Sequence, residues 1–320
     1  MKHTNQHWQS YLYFFSTNTT KDFLKHSYQM EKIEQAEQKS FENTYPFIYY
    51  LEHGQIYYEQ AEQAPIMIKP ILYFYGLVHL IKASILTTDP NYPETTSVLA
   101  HGVSTRKRKK QQYTFFNDEV KFQKSGLFPY MADKMFHMKH LEGEKAYMVD
   151  LLQQIPELNT LFQLAEKQQI FMPIKHHDQS FSIPLSILDR YHMTEGRFVD
   201  YFLGKINVDV SNHSLGENSF DITIEKTMLS KLRLLKYHHT DKEYYFPMER
   251  NDFSHYPELL AHYLLLYNLS MIARYETEWW SECIKMMSNN DFPFIQTFLD
   301  ITSSKSPFLI FDYLMSRKQT

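Results

Sequence analysis

The chain has 320 residues, 43% of them hydrophobic and 16% aromatic, which is enough to fill a sizeable core and excludes a disordered tail. Its 33 Lys and Arg against 37 Asp and Glu leave a net charge of −4, which excludes a global field drawing it to nucleic acid or a membrane surface. With 8 glycines and no G-x-x-x-x-G-K-[ST], G-x-G-x-x-G or G-x-S-x-G, the usual P-loop, Rossmann and hydrolase-elbow routes are unsupported.

The single cysteine, Cys283, excludes an internal disulfide framework and fits a reducing compartment. The polar start, Met1 to His7, leads into no apolar stretch and reads as no signal peptide. The most apolar segment, Ile71–Leu86, is interrupted by His79 and Lys82 and is shorter than the roughly 18–20 residues of a bilayer span. A cytoplasmic protein without membrane association is expected.

In chain order, Lys21–Lys39 and Phe47–Ala64 read as helices, and Pro65 and Pro70 then punctuate the chain. Pro70 suits a first helical turn, where its missing N–H has no intrahelical partner, so a helix is predicted over Ile71–Thr87. That helix is apolar nearly all round and belongs at the centre of a bundle. Asp89-Pro90 and Tyr92-Pro93 end it in a loop. Tyr113–Phe116 and Val120–Phe122 flank Asn117–Glu119 and predict a short hairpin within 113–128. Helix-compatible sequence returns at Ala146–Ile155 and Leu158–Gln169. Ile206–Val210 and Phe220–Ile224 alternate with period two and predict strands around a turn at Ser211–Asn218, with another strand in Leu232–Phe246. Glu258–Arg274, led by Pro257, is strongly apolar and predicts a late helix. The expected architecture is α+β and predominantly α-helical. It comprises a mainly helical region at 1–169, a β-rich insert at 170–248, and helices at 249–320 packing back on the first region.

Two stretches carry the resemblance to a known family. PILYFYGLVHLIKA at Pro70–Ala83 leads into His101-Gly102-Val103-Ser104-Thr105 and a basic run. LLLYNLSMIARY at Leu264–Tyr275 lies shortly before Trp279-Trp280. Together they resemble the YaaC-like family of Firmicutes over most of the chain. Genes of that family tend to lie beside the one for IMP dehydrogenase, so the resemblance implies a link to guanine-nucleotide metabolism, with IMP dehydrogenase as a partner. There is a weaker likeness to HEPN domains, helical bundles that include ribonucleases. Tyr75, His79, Lys82 and Ala83 fit the outline of their early helix. Arg250 and His255 fit their Arg-x(4–6)-His motif, although Pro257 places His255 just before a helix.

The basic run Arg106-Lys107-Arg108-Lys109-Lys110 is five adjacent cations, which repel one another and belong on the surface. Arg's planar fork suits phosphate, Ser104 and Thr105 add hydroxyls, and Gly102 is expected to let a ligand approach the backbone beside His101. The alternative is a solvated charged turn. One dense cluster on an acidic protein suits a nucleotide or a short single-stranded RNA end, and not duplex DNA, which needs phosphates neutralised along an extended face. Lys121, Lys124, Lys134, Lys139 and Lys145 would widen the patch. Tyr113, Phe115, Phe116 and Phe128 would stack on a base or else form hairpin core.

Tyr75, His79 and Lys82, at i, i+4 and i+7, share one helical stripe, as a pocket wall or as a buried polar seam. Arg250 and His255 would act as transition-state stabiliser and general acid/base at a ribose 2′-OH, or else serve as a loop pair fixing the last helix. His176-His177-Asp178 and His238-His239-Thr240-Asp241 lack helical i, i+4 pairing and cysteine partners, so no metal and no cofactor is expected. Cys283 beside Trp279-Trp280 reads as a packed thiol. Three roles stay open: a regulatory nucleotide-binding protein, a metal-independent ribonuclease, and a protein-interaction scaffold, each as a monomer or homodimer.

Overall fold

The computed structural model describes residues 5–105, 113–206, 208–225, 232–250 and 256–318. The basic run Arg106–Lys110 and His255 lie outside the described residues. The protein is α+β and predominantly helical, and it divides into two compact units: Met1–Met148 with His262–Thr320, and Val149–Ala261.

The first unit opens with α1 (Asn5–Tyr11), α2 (Thr17–Met30), α3 (Ala36–Gln63) and α4 (Lys69–Leu86). Ser16 caps α2 by accepting the Thr19 N–H. The single helix expected over Lys21–Lys39 is in fact broken at Glu31–Gln35, where Lys32 and Gln35 take positive φ and restart the chain as α3. Pro70 falls in the first turn of α4, as expected. The long α3 packs on α2 and α4, and α4 also packs on α5 and α12 (ranges below), which explains why α4 is apolar on nearly every side.

A three-stranded antiparallel sheet follows, of β1 (Val103–Thr105), β2 (Glu119–Phe122) and β3 (Lys145–Tyr147) in that order. The predicted hairpin does not form. Val120–Phe122 is a strand, but its partners are β1 and β3, with Thr105 opposite Val120 and Glu119 opposite Tyr147. Tyr113–Phe116 is instead anchored as loop. The Phe115 N–H donates to Asp291 at 2.8 Å, the Tyr113 hydroxyl donates to Asp118 at 2.6 Å, and Phe116 meets Phe294 edge-on. These long-range anchors override the local strand preference. Leu127–Phe136 then forms α5, with Leu127, Phe128, Met131, Ala132, Met135 and Phe136 buried, and α6 (Met148–Leu152), whose Val149–Leu152 belong to the second unit, follows β3.

The unit closes with α10 (Glu258–Tyr275) from His262 onward, α11 (Thr277–Met286) and α12 (Asp291–Ser316). A buried polar chain ties three helices together. His262 Nδ1 meets the Thr302 hydroxyl at 2.8 Å, Thr302 donates to Ser306 at 3.2 Å, and Ser306 meets the Tyr58 hydroxyl at 2.5 Å. Trp280 is fully buried and its indole N–H donates to the Met67 carbonyl.

The second unit holds α7 (Asn159–Ala165), β4 (Phe171–His177), β5 (Ser180–Pro184), α8 (Ile187–Tyr191), α9 (Glu195–Ile206), β6 (Val210–Leu215), β7 (Ser219–Ile224), β8 (Lys236–His238) and β9 (Glu243–Pro247). Its strands form one antiparallel sheet in the order β6-β7-β5-β4-β9-β8. Phe220–Ile224 is a strand as expected, with Phe220, Ile222 and Ile224 buried. Ile206–Val210 is not. Ile206 ends α9, because Phe198, Phe202 and Ile206 recur at helical spacing and bury together. The expected turn at Ser211–Asn218 is mostly strand β6, closed by a tight turn in which the Gly216 N–H donates to Ser219.

Candidate functional site

The stripe Tyr75, His79, Lys82 on α4 faces a second stripe, Tyr50, His53, Tyr57 on α3. The two helices come this close because two glycines lie between them. A Cβ at Gly76 would sit 2.6 Å from the Tyr58 ring, and one at Gly54 would sit 2.5 Å from Leu80. The rings then interleave. Tyr57 stacks on His79 at 5.6 Å and 18°, His53 meets His79 edge-on at 5.2 Å, Tyr57 lies 6.2 Å from Tyr75, and Lys82 Nζ stands 5.7 Å over the Tyr50 ring.

His101 joins this cluster from the loop before β1. Its ring lies 6.2 Å from Tyr75, 5.0 Å from Phe74 and 5.6 Å from Tyr267 on α10. Its carbonyl accepts from the Tyr263 hydroxyl at 2.8 Å and the Phe128 N–H at 3.1 Å, which pins the residue between α10 and α5. Gly102 helps in a way the sequence did not indicate. It is buried with φ +77°, and a Cβ there would strike Pro129 at 2.5 Å. The glycine therefore admits the protein's own Phe128-Pro129 turn, and not a ligand. Ser104 and Thr105 lie half-buried in β1, where the Ser104 hydroxyl accepts from Gln123 at 2.7 Å.

Arg274, one helical turn beyond Ser270 on α10, completes the cluster. Its Nε donates to the Ser270 carbonyl and an Nη donates to the Tyr75 hydroxyl at 3.4 Å. The guanidinium lies 6.0 Å from the Tyr75 ring centre and 5.3 Å from that of Tyr275, a ring that is 67% exposed. In the sequence, Arg274 and Tyr267 stand out only within the stretch that carries the family resemblance, and Tyr50, His53 and Tyr57 carry no motif. The signal available for the α3 residues was their i, i+3, i+7 spacing.

The electrostatics have one sign. Burial, then Lys82 and then His53 hold His79 down to about 4 from the usual 6.5. Burial, then Arg274 and then Lys82 lower His101. Burial alone lowers Lys82. Both imidazoles are thus neutral at pH 7, and among the described residues no carboxylate pairs with Lys82 or Arg274 within 4 Å. Among the described residues the buried Nδ1 of His79 has no hydrogen-bond partner. Such a set of half-buried cations, neutral imidazoles and phenol hydroxyls can receive an anion with an attached ring.

The other expected contributors are placed differently. Phe115 and Phe128 are fully buried core and present no face to a base. Lys134 pairs with Asp89 at 2.9 Å and Lys145 with Glu119 at 3.1 Å, while Lys121 and Lys124 are exposed. Arg250 is exposed on the second unit. His176 lies 3.7 Å from Glu243, His177 3.4 Å from Asp178, and His238 3.4 Å from Asp241. Among the described residues no three His, Cys, Asp or Glu side chains gather as a metal-binding group. Burial pushes the Cys283 thiol up to about 12, so it is an inert packed thiol. Among the described residues no helix is long and apolar enough to cross a membrane.

Fold and cluster together define a predominantly helical α+β protein with a cationic and aromatic face between helices. Its sequence matches the family model described as YaaC-like Protein over residues 12–314, and the chain belongs to that family. No curated protein and no solved structure matches it.

Proposed function

We propose that the protein binds a nucleotide, or a similar small phosphate-bearing molecule, at the α3–α4–α10 face, and that it acts as a regulator through this binding. The observation that carries the reading is the pair Lys82 and Arg274: two half-buried cations with no carboxylate partner among the described residues, set among tyrosine rings and two neutral imidazoles. Half-burying an unpaired charge costs free energy that an anionic ligand returns. Guanine nucleotides are the first ligands to try, since the family resemblance implies a place beside IMP dehydrogenase, which is itself the proposed partner.

Calorimetry of the full chain against guanine nucleotides and their polyphosphorylated derivatives tests the reading. Saturable binding that weakens about 10-fold or more in Lys82→Gln and in Arg274→Gln is expected, since each removes a charge-assisted contact. Nucleotide binding unchanged in both variants would refute it. An Arg106→Ala, Arg108→Ala double variant measures what the basic run adds. Incubation with mixed RNA is a further arm, in which cleavage abolished by His255→Ala would replace the binding reading with the ribonuclease one.

A further inference from the structure

The long helix α3 is buried on one side and bare on the other. Phe47, Leu51, Gly54, Tyr58 and Ala61 are buried, while Phe41, Tyr45, Tyr49 and Ile56 are 71%, 54%, 54% and 49% exposed. At about 100° per residue, those four and the exposed Glu52 fall within about 80° of one another, a stripe about 22 Å long. The ring-bearing stripe Tyr50, His53, Tyr57 that meets α4 lies about a third of a turn further round, so the two faces are separate. The Tyr45 and Tyr49 rings already pack on each other at 6.0 Å, so a partner would find them largely ordered. A continuous row of exposed rings on one helix marks an interaction surface. Taking about 200 Å² per aromatic side chain, the three rings and Ile56 offer roughly 450 Å². Two such stripes in contact, with their polar margins, bury about 1,000 Å² in total, the lower bound of a specific interface and the range of reversible dimers.

We propose that this stripe is the contact of a symmetric, antiparallel dimer, with a second copy of the chain laid against it. The stripe is complementary to itself. With the two-fold axis between Ile48 and Tyr49, Phe41 lies opposite the partner's Ile56, and the two Tyr49 rings meet near the axis. Tyr45 lies opposite the partner's Glu52, where its hydroxyl donates to the carboxylate. A parallel pairing sets Glu52 against Glu52, a like-charge contact that the antiparallel one avoids. The acids on the margin are already engaged, because Gln38 donates to Glu42 and Gln55 to Glu59, each at 2.8 Å. Between Lys39 and Lys69 the chain has no Lys or Arg, so this helix face brings none of the cations with which an interfacial helix holds anionic lipid. Apolar area and self-complementary charge therefore both favour a second copy over a membrane surface.

Sedimentation equilibrium of the full chain tests the dimer. Between about 1 and 200 µM the average mass should climb from that of one chain toward that of two, as expected for an interface of this size. Tyr45→Glu sets carboxylates opposite each other at both ends of the contact and should weaken association about 10-fold or more. Adding Glu52→Lys to Tyr45→Glu restores opposite charges across the axis and should recover most of that loss. Phe41→Ser, which removes apolar area and adds no charge, should also weaken association about 10-fold. All three side chains are exposed, and thermal melts check that the variants fold. A single-chain mass up to about 200 µM, or association indifferent to both Tyr45→Glu and Phe41→Ser, overturns the proposal. Loss in Tyr45→Glu without rescue by Glu52→Lys overturns the antiparallel contact. A wild-type monomer that floats with phosphatidylglycerol vesicles, and loses this in Phe41→Ser, gives the stripe to a membrane surface and overturns the dimer.

Discussion

Histidines of the two units sit in opposite electrostatic company. In the sheet unit, His176, His177 and His238 each lie within 4 Å of a carboxylate, Glu243, Asp178 and Asp241 respectively. In the helical unit, His79 and His101 are half-buried, and the side chains that act on them electrostatically are Lys82, Arg274 and His53. A histidine beside a carboxylate is locally compensated and needs nothing further. A neutral histidine held beside cations that have no carboxylate partner among the described residues is the setting on which the proposed anion site rests.

The largest way to break the contrast is to part the helices that create it. Gly76→Val drives a side chain into Tyr58, and Gly102→Val adds positive-φ strain to a clash with Pro129. Each should cost about 3 kcal/mol or more in urea unfolding and abolish ligand binding. Next in size is the loss of a cation. Arg274→Gln should weaken nucleotide binding by about 1.4–2.8 kcal/mol, or 10- to 100-fold, in calorimetry. Glu243→Gln in the sheet unit should leave that affinity unchanged.

A smaller effect follows from proton linkage. Because His79 binds its proton less tightly folded, near 4, than unfolded, near 6.5, the unfolded chain binds more protons between those values. Stability is therefore complete above about pH 6.5 and falls as pH drops toward 4. With the half-exposed ring discounted for solvent screening, the loss attributable to His79 is about 1–2 kcal/mol. His79→Gln should flatten the profile by that amount in melts across this range. Smallest is a substitution in the opposite direction. Gly204 lies in α9, where an added Cβ meets nothing within 4 Å, so Gly204→Ala should raise stability by about 0.5–1 kcal/mol.

Much of the helical frame was legible because its cues are local. Pro70 at the start of α4, Glu258 after Pro257 at the start of α10, and the alternation Phe220, Ile222, Ile224 each act within a few residues and give the same answer in the fold. Half of the cluster was legible too, since Tyr75, His79 and Lys82 share a face by helix geometry alone. The misreadings arose where distant partners outweighed local preference. Phe115 is turned from strand to loop by Asp291, some 176 positions away, and Gly102 is claimed by Pro129.

The amino-acid order by itself determined which residues form α4 and α10, that the protein is predominantly helical, and that a Tyr-His-Lys stripe exists, because helical periodicity and proline sterics are short-range. Only the tertiary structure decided that this stripe faces Tyr50, His53 and Tyr57, that His101 touches Tyr75, and that Arg274 rather than a carboxylate stands beside them. Those facts depend on helix approach across Gly54 and Gly76 and on residues up to 199 positions apart, and the face exists only once they are assembled.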